Sequence, residues 1–131
     1  MKQLGKIGES IASKYLIDQG YTILETNYRN VLGEIDIIAQ FKEQIVFVEV
    51  KTRKSRRYGY PEEAVNARKQ KKIIKTASWY ITGKGLKEKN YRFDVILIDF
   101  SNGIEKKEEV KHIRNAFFIH KDNNPFGSQQ I

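Results

Sequence analysis

The chain has 131 residues, of which 40% are hydrophobic, with 24 Lys and Arg against 16 Asp and Glu, a formal charge of +8 and no cysteine. That size suits one compact domain, expected over 1–119 with a loose polar tail over 120–131, and the missing cysteine excludes disulfides, a thiol nucleophile, Cys-ligated zinc and iron–sulfur clusters. No apolar run reaches the roughly 18 residues of a bilayer span, so the expectation is a soluble, cytoplasmic protein without a membrane partner, whose excess of positive charge favours a polyanion such as nucleic acid.

From Lys2 to Gln19, Leu4, Ile7, Ile11, Ala12, Tyr15 and Leu16 recur at the spacing of one helix face, and Gly20 supplies the stop. Tyr21 to Arg29 reads as a first strand. Two β-branched runs, Glu34–Gln40 and Gln44–Thr52, flank a polar turn at Lys42 and Glu43 and predict a hairpin. Residues 53–60 have no apolar period and read as an exposed loop. Pro61, followed by Glu62 and Glu63, suits the first turn of a helix. A second long helix is predicted from about Ala67 to Ile81, with Gly83 and Gly85 ending it. A strand over Tyr91–Phe100, a turn at Ser101-Asn102-Gly103 and a weaker strand over Glu109–Arg114 complete the pattern. The order is helix, three strands, helix, one or two strands, which predicts an α/β fold with a mixed central sheet flanked by helices.

The hairpin carries the chemistry. A turn centred between Lys42 and Glu43 makes facing residue numbers sum to 85, which sets Asp36 opposite Glu49 and Glu34 opposite Lys51. Facing residues share a side of the sheet, with Cβ atoms about 5 Å apart, close enough for two carboxylates to share a divalent cation with ligand distances of roughly 2.0–2.6 Å. Ile45 and Phe47 lie on that side and Val46, Val48 and Val50 on the other, so the strand is covered near its start and opens into a polar cavity near its end. An isolated Glu-x-Lys on a strand is an ordinary solvated edge. Here Asp36 and Glu49 sit among β-branched apolar residues, where charges need a partner or a metal and like carboxylates repel unless a cation intervenes. A shared metal site is favoured over a structural ion cluster.

Lys51, Arg53, Lys54, Arg56 and Arg57 form one basic cluster, and Arg68, Lys69, Lys71, Lys72 and Lys75 a second. The first begins inside the proposed site and runs into Tyr58, Gly59 and Tyr60. Arginines grip phosphates and tyrosines stack on unpaired bases, so Arg53, Lys54, Arg56, Arg57 and Tyr58, with Lys69 and Lys72, are the candidate nucleic-acid contacts. Nothing there has base-reading geometry. The two histidines, His112 and His120, lack ligand-spaced partners and read as surface or packing residues, Trp79 reads as core, and Arg92 with Asp94 as a structural ion pair.

Gly5-x-x-Gly8-Glu9, Asn27-Tyr28-Arg29, Gly33-Glu34-Ile35-Asp36, Val46-Phe47-Val48-Glu49-Val50-Lys51-Thr52-Arg53 and Arg92-Phe93-Asp94-Val95 together resemble the YraN-type endonuclease-like family (UPF0102), from near the start to about Phe118. Through Asp36 and Glu49-x-Lys51 the chain is also similar to the restriction-endonuclease-like superfamily, Holliday junction resolvases included, although Ile35 stands where proline often precedes the aspartate. The resemblance implies a restriction-endonuclease-like fold and a divalent-metal-dependent endonuclease hydrolysing phosphodiester bonds in DNA, on branched, flapped or single-stranded structures. Asp36 and Glu49 would hold Mg²⁺ or Mn²⁺ with the Val50 carbonyl as a further ligand, and Lys51 would steady the attacking water or the developing phosphate charge. Glu9 would complete the catalytic and metal-binding set, against the simpler reading of an exposed helix acid. Glu34 is available to pair with Lys51. Junction cleavage would need a homodimer with two sites related by a two-fold axis. The alternative from another class is a non-catalytic nucleic-acid-binding module that keeps the nuclease fold.

Overall fold

The computed structural model describes residues 2–54, 65–103 and 105–117. The expected tail 120–131, His120, the loop residues Arg56, Arg57, Tyr58 and Tyr60, and the helix start at Pro61 with Glu62 and Glu63 lie outside the described residues. The elements run α1 (Lys2–Asp18), β1 (Thr22–Asn30), β2 (Gly33–Phe41), β3 (Gln44–Arg53), α2 (Ala67–Gly83), β4 (Asn90–Asp99) and β5 (Glu109–Phe117). The strands form one sheet in chain order, antiparallel except for β3 beside β4. This is the expected α/β fold, a mixed sheet flanked by helices. A parallel pair needs a long crossover, and α2 lies within it.

Each helix buries one stripe against its own face of the sheet. Leu4, Ala12 and Leu16 of α1 pack on Ile37, Ala39, Val46, Val48, Ile96 and Ile98. Ile73, Ile74, Ala77, Tyr80 and Ile81 of α2 pack on Ile38, Ile45, Phe47, Phe93 and Val95. The strand alternation inferred for β3 therefore holds. Gly20, at φ 94°, ends α1 in a backbone conformation that costs glycine little. Trp79 departs from expectation, at 54% exposed. It stands two positions after Ala77 and two before Ile81, and a two-residue step turns a helix by about 200°, away from the buried stripe. Ile7 is also largely exposed, off the stripe set by Leu4, Ala12 and Leu16.

A buried polar network ties β4 to its surroundings beneath α1. Arg92 Nε donates to Asp94 Oδ1 at 2.9 Å, and Arg92 also bonds the Tyr21 hydroxyl and Gln44 Oε1. His112 Nε2 bonds Asp94 Oδ2 at 2.7 Å and Tyr15 the other ring nitrogen at 3.0 Å. A carboxylate only accepts, so in the neutral ring Nε2 carries the proton and Nδ1 takes the Tyr15 hydroxyl. Burial works against the Asp94 charge, but hydrogen bonds from His112, Arg92 and the Asn115 N–H hold its pKa below the usual carboxylate value. The structural reading of Arg92, Asp94 and His112 holds.

Asp94 is fully buried, so Asp94→Asn leaves the Arg92 guanidinium without its counter-charge. Breaking a buried pair from one side costs about 3–5 kcal/mol. The expected result is a lower urea midpoint at unchanged m value, and an equally stable variant would show that Tyr21 and Gln44 suffice to hold Arg92.

Candidate active site

The β2–β3 ladder runs from the turn to the Ile37–Val48 pair, in the predicted register. Beyond it, where Asp36 and Glu49 would face each other, a side chain takes over from the backbone: the Val50 N–H donates to Asp36 Oδ2 at 2.8 Å. Strand alternation breaks at the same place. Ile35 and Ile38, three residues apart, both pack in the α2-side core, whereas Ile37 and Ala39 pack under α1. Across on β1, Asn27 stands in the left-handed region at φ 52°, between the Thr26–Ile37 and Tyr28–Ile35 pairs. Asparagine tolerates that conformation better than a β-branched residue would. Both strands are thus kinked at the level of Asp36.

Asp36, partly buried, stands beside Glu49, which is itself only 8% exposed. Burial first, then the Glu49 hydrogen bond and charge, pushes the Asp36 pKa from 3.8 up to about 8. Lys69, from the first turn of α2, sets its Nζ 3.0 Å from Glu49 Oε2. Lys51 is half-buried beside it, and burial followed by the neighbouring Lys69 lowers its pKa, while Glu49 and Asp36 oppose the shift.

These groups line one open cavity of about 560 Å³ at the ends of β2 and β3, between the two helices. Glu9 of α1 reaches its wall because Gly8 lets the helix approach β3: a Cβ at Gly8 would stand 2.5 Å from Thr52 Oγ1. Burial and the Glu34 charge raise the Glu9 pKa, and a hydrogen bond from Asn27 opposes them. The β1–β2 turn forms the opposite wall, with Asn30 Nδ2 donating to the Thr76 carbonyl at 3.3 Å.

Asp36, Glu49, Val50, Lys51, Glu9, Lys69 and Lys72 are therefore gathered at one cavity. Asp36 and Glu49 are close enough for the charge of Glu49 to act on Asp36. Glu9 shares the wall, but among the described residues no three His, Asp or Glu side chains converge into one ligand cluster. The Glu34–Lys51 pairing is corrected: Glu34 binds Arg29 at 2.8 Å with both side chains exposed, because the strand kink turns Glu34 away from the cross-strand alignment assumed for it. Arg53 donates to Asp99 Oδ2 at 2.8 Å, and Lys54 is exposed. Sequence reasoning missed Asn27 as a partner of Glu9 and Lys69 as the partner of Glu49. The asparagine before Tyr28-Arg29 was a usable signal for a left-handed kink.

Between pH 3.8 and about 8 native Asp36 keeps a proton that the unfolded chain has released. Stability conferred by this group is therefore complete at low pH and falls as pH rises through that window. With a chelator present, melting temperature should fall more steeply from about pH 5 to 8 in the wild type than in Asp36→Asn. Parallel profiles would mean that Asp36 holds no such proton.

Among known proteins, the profile described as "Uncharacterised protein family UPF0102" matches residues 8–98. A UPF0102 protein of Caldanaerobacter subterraneus subsp. tengcongensis is 49% identical over 116 residues, covering 88% of this chain and 95% of its own. One from Clostridium botulinum (strain 657 / Type Ba4) is 52% identical over 119 residues, covering 90% and 96%, and one from Alkaliphilus metalliredigens 50% identical over 116 residues, covering 88% and 98%. Of solved structures, that of Pyrococcus furiosus SfsA in complex with Ca²⁺ aligns with a TM-score of 0.40 and 16% identity over 86% of this chain and 63% of that one, so this chain spans less than two-thirds of its length. With most of its length matched by the profile and about half its residues shared with each of these relatives, the chain belongs to the UPF0102 family.

Proposed function

We propose that the protein is a divalent-metal-dependent endonuclease of restriction-endonuclease-like fold, hydrolysing phosphodiester bonds in DNA, with branched, flapped or single-stranded structures as its substrates. One observation carries the reading: a partly buried aspartate, Asp36, and a buried glutamate, Glu49, line one cavity together with the amines of Lys51 and Lys69. An acid whose pKa is raised by burial and by a neighbouring acid holds a proton that a hard cation can replace. The oxygen donors fit Mg²⁺ or Mn²⁺, with Glu9 on the adjacent wall and the Val50 carbonyl as a further oxygen. Bound there, such an ion would polarise the scissile phosphate and acidify water.

The protein groups do the rest. Lys51, held half-buried next to Glu49, donates to the phosphate oxygen on which negative charge grows as water adds to phosphorus and the P–O ester bond breaks. Its position on a strand, one alternation step beyond Glu49, fixes that amine with little freedom. Lys69 and Lys72 extend the positive wall toward the incoming backbone. The net charge of +8 serves non-specific attraction of the polyanion. A non-catalytic binding module is the second reading. Buried carboxylates beside phosphates would weaken such a binder, which favours the enzyme.

The test is incubation of branched, flapped, single-stranded and duplex DNA with Mg²⁺, Mn²⁺ or EDTA. Asp36→Asn and Glu49→Gln should each lower cleavage by about 10²-fold or more while DNA binding survives or strengthens. Binding without cleavage of any substrate would favour the module. Lys51→Met should fold, bind Mn²⁺ and lose most of its turnover. A Lys51→Met protein that cleaves normally would remove Lys51 from the chemistry.

A further inference from the structure

Lys69 stands where helix physics disfavours it. It occupies the first turn of α2, which has no acidic residue, and its backbone N–H is capped by Asn66 Oδ1 at 2.9 Å. The positive end of the helix dipole repels a cation there. Its side chain nevertheless turns onto the carboxylate of Glu49, with Nζ at 3.0 Å from Oε2, while Lys71 and Lys72 of the same turn remain exposed. The contact reaches a carboxylate that is 8% exposed and already crowded by Asp36.

We infer that Lys69 is a built-in counter-cation of the carboxylate pair, competing with a divalent ion for Glu49. This rests on the metal-site reading above and concerns the state of the site before metal arrives. The lysine gives Glu49 a positive partner without metal, and the long flexible side chain, partly exposed at the cavity, can leave without disturbing the helix that carries it. Occupancy of Glu49 by Lys69 and by a divalent ion is then linked: whatever free energy the ammonium contributes to the metal-free site is subtracted from apparent metal affinity. A site built this way keeps a cation on Glu49 when metal is scarce and fills at a higher metal concentration than it would without the lysine.

The test is calorimetric titration of the intact protein with Mn²⁺, without DNA and at fixed pH, after circular dichroism has verified folding of each variant. Lys69→Met should bind Mn²⁺ about tenfold more tightly than wild type. Lys72→Met makes the same change of charge on the same cavity wall without touching Glu49, and should shift affinity by no more than about twofold. Lys69→Arg keeps a cation in place and should titrate like the wild type. In EDTA, Lys69→Met should melt below wild type, and Mn²⁺ should close the gap. Equal tightening in Lys69→Met and Lys72→Met, or no tightening in either, would overturn the proposal while leaving the metal site standing. Absence of Mn²⁺ binding in both wild type and Lys69→Met would overturn the metal reading and this inference with it.

Discussion

Asp36 accepts a hydrogen bond from the backbone of Val50 at the point where the β2–β3 ladder would otherwise continue, and the geometry of the cavity follows from that exchange. A carboxylate oxygen in place of a main-chain carbonyl holds the two strands together while freeing them from regular pairing. Strand parity can then break and Ile35 can turn toward the α2 core, while Asp36 keeps the side of the sheet that the register gives it with Glu49. Continued regular pairing would have kept the cross-strand alternation intact and set Glu34 opposite Lys51.

The surrounding fold supplies stiffness for this irregular spot. On one face Gly8 permits α1 to come close enough to deliver Glu9; on the other Gly33 lies so near α2 that an added Cβ would stand 2.9 Å from Thr76 Oγ1. Both close approaches flank the cavity. Two packed cores, one under each helix, therefore clamp a polar gap whose own hydrogen bonds would not determine its shape. Sites assembled on strands and helix ends hold their geometry better than sites on loops, and here the acids and Lys51 come from such elements.

Much of this was legible in sequence, and the reasons are specific. The two-residue turn at Lys42 and Glu43 determined the register, and the register alone placed Asp36 with Glu49. Periodicity located both helices and their buried stripes. What periodicity could not show is a change of parity inside a strand, because it assumes the regularity that Asn27 and Asp36 break; Glu34 was misplaced for that reason. Trp79 was placed on or beside the apolar face of α2, although its helical phase points it outward. The Lys69–Glu49 contact joins a helix to a strand 20 positions earlier, and no local pattern encodes such a distance.

Asp94 and Asp36 separate structure from chemistry within one sheet. Each aspartate captures a backbone N–H at a strand irregularity beside a left-handed asparagine: Asp94 that of Asn115, and Asp36 that of Val50 near Asn27. Asp94 is then given Arg92 and His112, and its pKa falls despite burial. Asp36 is raised first by burial and then by Glu49, a second acid, and its pKa reaches about 8. The same backbone device thus ends in one carboxylate whose charge is already neutralised and one whose charge is obstructed. Asp94 already has its counter-charges, whereas Asp36 faces a second acid that opposes its ionisation. Stability alone would favour the first arrangement at both places, so the costlier arrangement at the cavity, with Lys51 and Lys69 beside it, is what supports the metal-site proposal.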